Sequence, residues 1–490
     1  MYRSARLLPV TVAHFIRARS LEGCMTRFTA HFLMAFCLAF LLSSTALLAQ
    51  LPLSDEELSQ QAASMGSGQI VIPHSGIQRP DDIGIRARTL YKIFVPAGRP
   101  QGVVGFGVDE ETARLPVSRG DVSRETVTKS AQPIAGYYAE TPASLACLYQ
   151  LVAVTSGCNP GTMTTVATGG SKAIAIVDAY DYPTALADLT AFSKQFGLAS
   201  PTSSTFTVAY EGTSKPSPDP DCADYGGWDC WATESALDIE MAHAAAPSAH
   251  IYLVEANSSN YNDLFASVTR AVSLVKAAGG GEVSMSWGGG EYSSETQYDS
   301  TFTGTSVVFF ASSGDSEGTI YPAVSPNVVA VGGTTIARNP STMAFESEVS
   351  WEDTGGGYSV YESRPAFQSS ISSTVGTHRG VPDVAAIGNP RTGVWVYNSY
   401  DNTYSGSLYA WNIIGGTSVA SPLWAGVANH AGHFSASTSA EETLIYASGK
   451  TAADFRDITV GTCGYYEGYL AASGWDACSG FGAPLGAAGK

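Results

Sequence analysis

Residues 413–422 read Ile413-Ile414-Gly415-Gly416-Thr417-Ser418-Val419-Ala420-Ser421-Pro422, and an apolar run over 423–430 follows. This pattern predicts a buried strand that turns sharply at the glycine pair and enters an apolar helix. A serine at the start of that helix lies beside free backbone N–H groups and the partial positive charge of the helix N-terminus. Ser418 is therefore a candidate nucleophile, although a serine before a helix is more often only an N-cap.

Upstream of this segment, apolar runs rich in β-branched residues alternate with helical stretches. Strands are predicted at 172–178, 205–210, 249–255, 282–287, 306–311 and 327–331, and helices at 183–196, 233–245 and 262–278. Strands that are apolar throughout and separated by helices indicate an α/β fold, a parallel sheet with helices on both faces. In such a sheet the chemistry is expected in the loops at the carboxyl ends of the strands.

Three of these loops are rich in glycine and serine. They read Ser286-Trp287-Gly288-Gly289-Gly290, Ser312-Ser313-Gly314-Asp315 and Gly415-Gly416-Thr417-Ser418. A serine nucleophile also needs a base, and none of the histidines after residue 49 lies in a glycine-rich turn that opens a helix. His243 lies within an apolar helix and His250 begins a strand, so both are interpreted as packed or surface residues.

Two carboxylates on one predicted helix offer the missing base. Glu234 and Asp238 are four residues apart, so they project from the same helix face and can share a proton. Exposed like charges at this spacing repel each other by about 0.2–0.5 kcal/mol. The neighbouring Leu237, Ile239 and Met241 indicate a buried helix with a coupled pair, in place of a solvated acidic face.

The segment around Ser418 resembles the nucleophile segment of subtilisin-like serine peptidases, and the whole set of motifs resembles the sedolisins, the serine-carboxyl peptidases that share the subtilisin fold. The resemblance covers about residues 172–484 and includes Glu-x-x-x-Asp on a helix, Ser-Gly-Asp after a strand and Gly-Thr-Ser before a helix. It implies a catalytic set of four residues, namely the nucleophile Ser418, the general base and acid Glu234, its orienting partner Asp238 and the oxyanion residue Asp315.

The same resemblance extends to the surroundings of this set. Asp178 and Trp287 match positions that extend the proton network in some sedolisins, with an aspartate here where those have a glutamate. Gly288 lies in the loop 286–290 that is expected to line the substrate cleft.

Carboxyl groups in these roles predict a peptidase that works in acid. A carboxylate is a weaker base than imidazole, but it stays ionised where histidine is fully protonated. Asp315 can donate a hydrogen bond to a tetrahedral oxyanion if its surroundings raise its pKa and keep it protonated. The expected activity is an endopeptidase with an acidic optimum and polypeptide substrates, acting as a monomer.

A glycine- and tyrosine-rich loop near the C-terminus contains Asp457 and Asp476. Carboxylates and carbonyls are the hard oxygen ligands that Ca²⁺ prefers, although two acids in a loop are more often surface residues. The sedolisin resemblance implies a calcium site formed by the side chains of Asp457 and Asp476 and the carbonyls of Ile458, Ala472 and Gly474. Ala472 stands where a glycine is usual.

The N-terminal region is typical of an export signal. Residues 25–49 contain the basic Arg27, a nearly unbroken apolar stretch and the small Ala49, near which cleavage is expected. An uncleaved membrane anchor is the alternative. The expected organisation is an upstream extension and signal peptide at 1–49, an N-terminal segment at 50–140 that could be a short propeptide, and a sedolisin-like peptidase domain at 141–490. A strand is predicted at 90–95, and the product is expected to be secreted or periplasmic.

Cysteine spacing agrees with export. Six cysteines follow residue 49, without the spacing of a zinc site. Six cysteines allow many pairings, and the short loops favour Cys147–Cys158, Cys222–Cys230 and Cys463–Cys478.

Composition excludes some partners. The chain has 490 residues, with 26 Lys and Arg against 44 Asp and Glu and a formal net charge of −18. Nucleic acid and, apart from the signal peptide, membranes are not expected as partners, because phosphate contacts need Lys or Arg. Two alternatives to a sedolisin-like enzyme stay open: a secreted binding protein that keeps the fold without turnover, and a conventional subtilisin-type protease with an unrecognised histidine.

Overall fold

The computed structural model describes residues 91–93, 132–133, 139–220, 230–339, 342–400, 403–404, 407–408, 410–449, 451–464 and 468–490. The predicted signal at 1–49 and most of the segment 50–140 lie outside the described residues. The helices are α1 (Pro142–Leu148), α2 (Ala185–Phe196), α3 (Trp231–Ala245), α4 (Tyr261–Ala277), α5 (Ser372–Val375), α6 (Thr417–Ala431) and α7 (Thr438–Ser448). The strands are β1 (Tyr91–Ile93), β2 (Ala173–Ala179), β3 (Phe206–Tyr210), β4 (His250–Ala256), β5 (Gly281–Met285), β6 (Gly289–Gly290), β7 (Val307–Ser312), β8 (Ile320–Tyr321), β9 (Val329–Arg338), β10 (Phe345–Ser350), β11 (Gly357–Ser363), β12 (His378–Val381), β13 (Val384–Ile387), β14 (Val394–Tyr397), β15 (Thr403–Tyr404), β16 (Ser407–Leu408), β17 (Trp411–Gly415), β18 (Phe455–Arg456), β19 (Thr462–Cys463), β20 (Tyr469–Leu470) and β21 (Ala483–Pro484).

In the described part of the chain, eight strands form the central sheet, in the order β10-β9-β7-β5-β2-β4-β3 with β13 also paired to β9. Every pair is parallel except β10 with β9. The predicted α/β fold with a parallel sheet is therefore confirmed. The strand predicted at 327–331 is longer than expected, because β9 runs from Val329 to Arg338 and pairs with three neighbours along its length.

Helices cover both faces of this sheet. Helices α3 and α6 pack against each other on one face, and α4 packs against β2, β4 and β5 on the other. Side chains of β2 alternate between the two faces, since Ile174 and Ile176 join the apolar cluster of α3 and α6 while Ala175 and Val177 join that of α4. This alternation places Asp178 on the face covered by α3.

Helix α3 is buried along its whole length of 15 residues, its carboxyl groups included. It lies close to α6 because Gly426 has no side chain, and a Cβ there would lie 2.6 Å from the Cβ of Ala245. The prediction that Glu234 and Asp238 lie on a buried helix is therefore confirmed.

A second, antiparallel sheet of three strands leads into α6. Strand β17 lies between β1 and β14, and Tyr91 of β1 is paired with Gly415 of β17. The strand predicted at 90–95 is thus present at Tyr91–Ile93. Within the described residues, no helix has both the length and the apolar character needed to cross a membrane.

Disulfides follow the predicted short loops where the structure describes them. Cys147 is bonded to Cys158 and Cys463 to Cys478. Cys230 is also disulfide-bonded, and its predicted partner Cys222 lies outside the described residues.

Candidate active site

Ser418 lies in the first turn of α6, directly after β17. The turn before it depends on Gly416, whose φ of +108° is rarely adopted by residues with a side chain. A Cβ on Gly416 would also lie 2.7 Å from Oδ2 of Asp315. This turn therefore brings Ser418 and Asp315 together in the interior, where both are buried.

Asp315 follows β7 and reaches the N-terminus of α6. Its Oδ1 accepts hydrogen bonds from the backbone N–H of Thr417 at 2.6 Å and from the Thr417 hydroxyl at 2.7 Å. Its Oδ2 has no hydrogen-bond partner among the described residues. Burial raises the pKa of Asp315 to about 7, because desolvation outweighs the two bonds from Thr417 that lower it. In acid the carboxyl is therefore neutral and can donate a hydrogen bond from Oδ2.

Glu234 lies on α3 and faces the nucleophile candidate. Burial raises its pKa well above the usual value, the charges of Asp238 and Asp178 raise it further, and the Ser418 hydroxyl lowers it. Within the described part of the chain, neither oxygen of Glu234 makes a hydrogen bond of conventional geometry. The contact with Ser418 is thus looser than such a bond, as is common for catalytic groups without bound substrate.

Asp238 lies one turn further along α3 and is held by Ser286, which follows β5. The Ser286 hydroxyl donates to Oδ1 of Asp238 at 2.9 Å and lies 3.3 Å from the carbonyl oxygen of Ser418. Burial raises the pKa of Asp238 well above its usual value and the charge of Asp178 raises it further, whereas the contacts with Ser286 and Glu234 lower it. Two carboxyl groups that interact this closely titrate as a pair.

Asp178 and Trp287 lie beside this pair. Burial raises the pKa of Asp178 to about 7, and a contact with Ser235 of α3 lowers it. The indole N–H of Trp287 donates to the carbonyl of Val177 at 2.8 Å, in place of a carboxylate. The charge of Asp178 raises the pKa of both Glu234 and Asp238, whereas the hydrogen bond shown for the indole goes to a backbone carbonyl.

The family follows from residues 161–475, which match the family model of Peptidase S8, the subtilases. The matched segment is more than half of the chain. The chain belongs to the subtilase family.

Among curated proteins, this subtilase is 30% identical to sedolisin of Pseudomonas sp. (strain 101), over 64% of the chain and 56% of that protein. It is 31% identical to kumamolisin of Bacillus sp. (strain MN-32), over 65% of the chain and 59% of that protein. The chain thus spans somewhat more than half the length of these relatives. A solved structure of Pseudomonas sedolisin, a serine-carboxyl proteinase with two molecules of pseudo-iodotyrostatin, matches with a TM-score of 0.55 and 26% identity over 71% of this chain and 95% of that chain. The resemblance to the sedolisins is confirmed.

Three histidines in the described part of this subtilase contact groups other than Ser418. A ring nitrogen of His243 lies 2.8 Å from the carbonyl of Ala199, and the ring of His250 stacks on Tyr252. His430 contacts the carbonyl of Ala245 at 3.0 Å. These contacts support the interpretation of His243 and His250 as packed or surface residues, and they agree with a carboxylate as the base candidate.

Sequence reasoning places Ser286 in the cleft loop but misses its hydrogen bond to Asp238, and it misses Glu255 altogether. Glu255 of β4 is opposite Asp178 of β2 in the sheet, and its Oε1 accepts a hydrogen bond from the backbone N–H of Tyr182 at 2.9 Å. Burial raises the pKa of Glu255 to about 8, the bond from Tyr182 lowers it, and the charges of Asp181 and Asp178 raise it. The sequence signal that could have found Glu255 is a carboxylate within the otherwise apolar strand predicted at 249–255.

The predicted calcium site lies in the C-terminal loop that contains Asp457 and Asp476. Oδ2 of Asp457 accepts hydrogen bonds from the Ser473 hydroxyl at 3.1 Å and the Gly474 N–H at 3.0 Å, and Oδ2 of Asp476 accepts one from the Ala472 N–H at 3.0 Å. Both carboxylates thus accept hydrogen bonds from the turn 472–474, and carboxylate oxygens are the hard ligands that Ca²⁺ prefers.

Backbone carbonyls would have to complete such a site. The Ser479 hydroxyl lies 3.1 Å from Oδ2 of Asp476 and 3.5 Å from the carbonyl of Ile458. The described residues contain no group of three His, Cys, Asp or Glu side chains that could hold a metal ion. Calcium binding therefore stays a prediction that depends on carbonyl ligands.

Proposed function

We propose that this chain is a secreted serine-carboxyl endopeptidase that hydrolyses peptide bonds at acidic pH. The observation that carries the proposal is the burial of Ser418 together with Glu234, Asp238 and Asp315 in one site, where the Glu234 carboxyl lies in contact with the Ser418 hydroxyl. Subtilase membership and the likeness to Pseudomonas sedolisin support the serine-peptidase class.

Acylation follows from the position of each group. The Ser418 Oγ attacks the carbonyl carbon of the scissile bond while its proton passes to Glu234. The electron pair of the carbonyl double bond moves to oxygen, where the protonated Asp315 donates a hydrogen bond. Protonated Glu234 then gives its proton to the departing amine, which leaves an ester on Ser418, and a water molecule hydrolyses that ester by the reverse roles.

Asp238 and Ser286 act on the base without touching the reacting atoms. Asp238 orients the Glu234 side chain and shares one negative charge with it. Ser286 holds Asp238 in position through a hydrogen bond of 2.9 Å. Acid suits this set, because Asp315 has to be protonated while the Glu234 and Asp238 pair carries one negative charge.

Export, calcium and partners complete the proposal. The apolar stretch before Ala49 and the disulfides support secretion. A Ca²⁺ ion held by Asp457, Asp476 and nearby carbonyls would supply a cross-link within the C-terminal loop. Polypeptides are the proposed substrates, and the acidic net charge of −18 argues against nucleic acid as a partner. The chain is proposed to act as a monomer.

Peptide cleavage measured from pH 3 to pH 8 tests the proposal. Ser418→Ala is expected to abolish cleavage at every pH, and Glu234→Gln to lower kcat/KM by about 10²–10⁴-fold, the usual contribution of a general base. Glu240→Gln is the matched control, because Glu240 is also buried on α3 with a raised pKa but bonds to the backbone N–H of Tyr397.

Two outcomes would contradict the proposal. Retention in Glu234→Gln of a cleavage rate that rises toward pH 8 would exclude Glu234 as the base. A folded and processed wild-type chain that cleaves no peptide at any pH would favour the non-catalytic binding protein.

A further inference from the structure

Two glycines lie at the carboxyl ends of the neighbouring strands β5 and β7. Gly288 follows Ser286, whose hydroxyl lies 3.3 Å from the carbonyl oxygen of Ser418. Gly314 precedes Asp315, and its N–H donates to the Thr417 hydroxyl at 3.1 Å. Both loops are thus anchored at the start of α6, so the space between the two glycines adjoins the nucleophile and the oxyanion residue.

The side chain of Ile320 occupies this space. A Cβ built on Gly288 would lie 2.5 Å from Cδ1 of Ile320, and one on Gly314 would lie 3.3 Å from the same atom. Contacts under 3.0 Å are essentially never made by real Cβ atoms. One isoleucine therefore fills the gap that the two glycines leave open.

Short strands on either side hold Ile320 in place. Ile320 of β8 is paired with Gly290 of β6, and Tyr321 is paired with Gly289. The hydroxyl of Thr319 donates to Glu291 at the end of this pair. Tyr321 is fully buried whereas Ile320 is only half-buried, so part of the isoleucine side chain stays accessible at the edge of the site.

We propose that Ile320 determines the size of the substrate side chain on the residue that supplies the scissile carbonyl, and restricts it to small residues such as alanine. This inference rests on the proposed peptidase function. When the carbonyl carbon contacts Ser418 and the carbonyl oxygen contacts Asp315, the Cβ of that residue is two bonds from the carbonyl carbon. It is then within reach of the gap beside Gly314, where Ile320 leaves little room.

The chemistry of the gap also determines what is rejected. The atoms nearest the two glycines belong to Ile320 and to the carbonyl oxygen of Tyr321. A carboxylate side chain finds no hydrogen-bond donor among these atoms, so acidic residues are disfavoured together with large ones. In an apolar pocket, one methylene group changes kcat/KM by about 10–200-fold. Shortening Ile320 is therefore expected to change substrate preference measurably.

The experiment uses the full chain and two quenched peptides that differ only in the residue supplying the scissile carbonyl, alanine or phenylalanine, with the cut position verified by mass spectrometry. Wild type is expected to prefer the alanine peptide. Ile320→Ala is expected to raise the ratio of kcat/KM for phenylalanine over alanine by about 10-fold or more, and Ile320→Val to raise it by less.

Val324→Ala is the matched control. Val324 is buried in the apolar cluster against which Ile320 packs, and its N–H donates to the carbonyl of Ile320. None of the three atoms nearest to a Cβ on either glycine belongs to Val324. Its truncation is expected to lower the melting temperature and leave the preference unchanged.

The outcomes separate this inference from the proposed function. A preference that is unchanged in both folded Ile320 variants would overturn the inference alone, and so would an equal change in Val324→Ala. A folded wild-type chain that cleaves neither peptide at any pH would overturn the proposed function and, with it, the role of Ile320.

Discussion

Replacing Asp315 by asparagine is expected to keep activity in acid and to remove part of its loss above pH 7. The amide oxygen can still accept the two hydrogen bonds from Thr417, of 2.6 and 2.7 Å, that Oδ1 accepts in the wild type. The amide nitrogen then takes the position of Oδ2, which has no partner among the described residues, and donates an N–H at every pH.

The size of the effect follows from the pKa of Asp315, which burial raises to about 7. A group with this pKa keeps about one tenth of its protonated form at pH 8 and about one hundredth at pH 9. In the wild type, kcat/KM is thus expected to fall roughly 10-fold per pH unit above 7 through loss of the oxyanion donor. Asp315→Ala removes the donor altogether and is expected to cost about 2.7–4 kcal/mol in acid, or about 10²–10³-fold in rate. This deficit relative to the wild type is expected to shrink above pH 7, where the wild type also loses the donor.

The assay is kcat/KM for one quenched peptide at pH 5 and pH 8. Asp178→Asn is the matched control, because burial raises the pKa of Asp178 to the same value of about 7 while its carboxyl, unlike that of Asp315, accepts no hydrogen bond from Thr417 at the start of α6. The control is expected to keep the wild-type decline that Asp315→Asn loses. An Asp315→Asn variant that declines as steeply as the wild type, or an Asp315→Ala variant of nearly full activity, would refute the reasoning.

Ser286→Ala is expected to lower kcat/KM by about 10–150-fold, because a hydrogen bond to a charged carboxylate contributes about 1.5–3 kcal/mol. In the wild type this bond lowers the pKa of Asp238, so its removal should raise that pKa and move the acid limb of the pH profile to higher pH. An acid limb that stays at the wild-type pH would contradict this role of Ser286. The free energy of unfolding in urea is expected to fall between pH 5 and pH 8. Glu255 has a pKa of about 8 in the folded chain against 4.5 otherwise, so its contribution is full below pH 4.5 and lost as the pH rises through 8; a free energy that is constant or rises over this range would be inconsistent with it. Serine at both Cys463 and Cys478, which are 15 residues apart, is expected to lower the free energy of unfolding by about 3 kcal/mol; a loss well under 1 kcal/mol in non-reducing buffer would argue against a stabilising bond. Chelation of Ca²⁺ is expected to lower the melting temperature, and a melting temperature and activity that both stay the same would show that the calcium prediction is wrong.

The central sheet is predictable because its strands carry their own signal. Strand β2 is buried at all seven positions, and an apolar run of that kind between helical stretches is typical of a central strand in a parallel sheet. The helix with Glu234 and Asp238 is predictable for a related reason, since Leu237, Ile239 and Met241 lie next to the two acids in the sequence. The sequence therefore assigns each of the four proposed catalytic residues to a predicted helix or to the end of a predicted strand.

Contacts between distant short segments are not predictable in this way. Strands β6 and β8 have two residues each and show no periodicity, yet their pairing brings Ile320 against Gly288. Ser286 and Asp238 are 48 residues apart, and nothing local indicates that the serine holds that acid. The position of such groups depends on the packing of the whole sheet, which a local pattern does not contain.

Strand β1 has a consequence for any maturation of this chain by proteolysis. Its three residues form backbone pairs with Ile413, Ile414 and Gly415, the strand that enters the nucleophile turn. A cut between Ile93 and Thr141 would leave those pairs intact, so the upstream piece would stay bound without a covalent link. If that piece then dissociated, β17 would become an edge strand whose backbone N–H and C=O groups are unpaired on one side. This edge ends three residues before the nucleophile candidate, and another extended chain could pair with it.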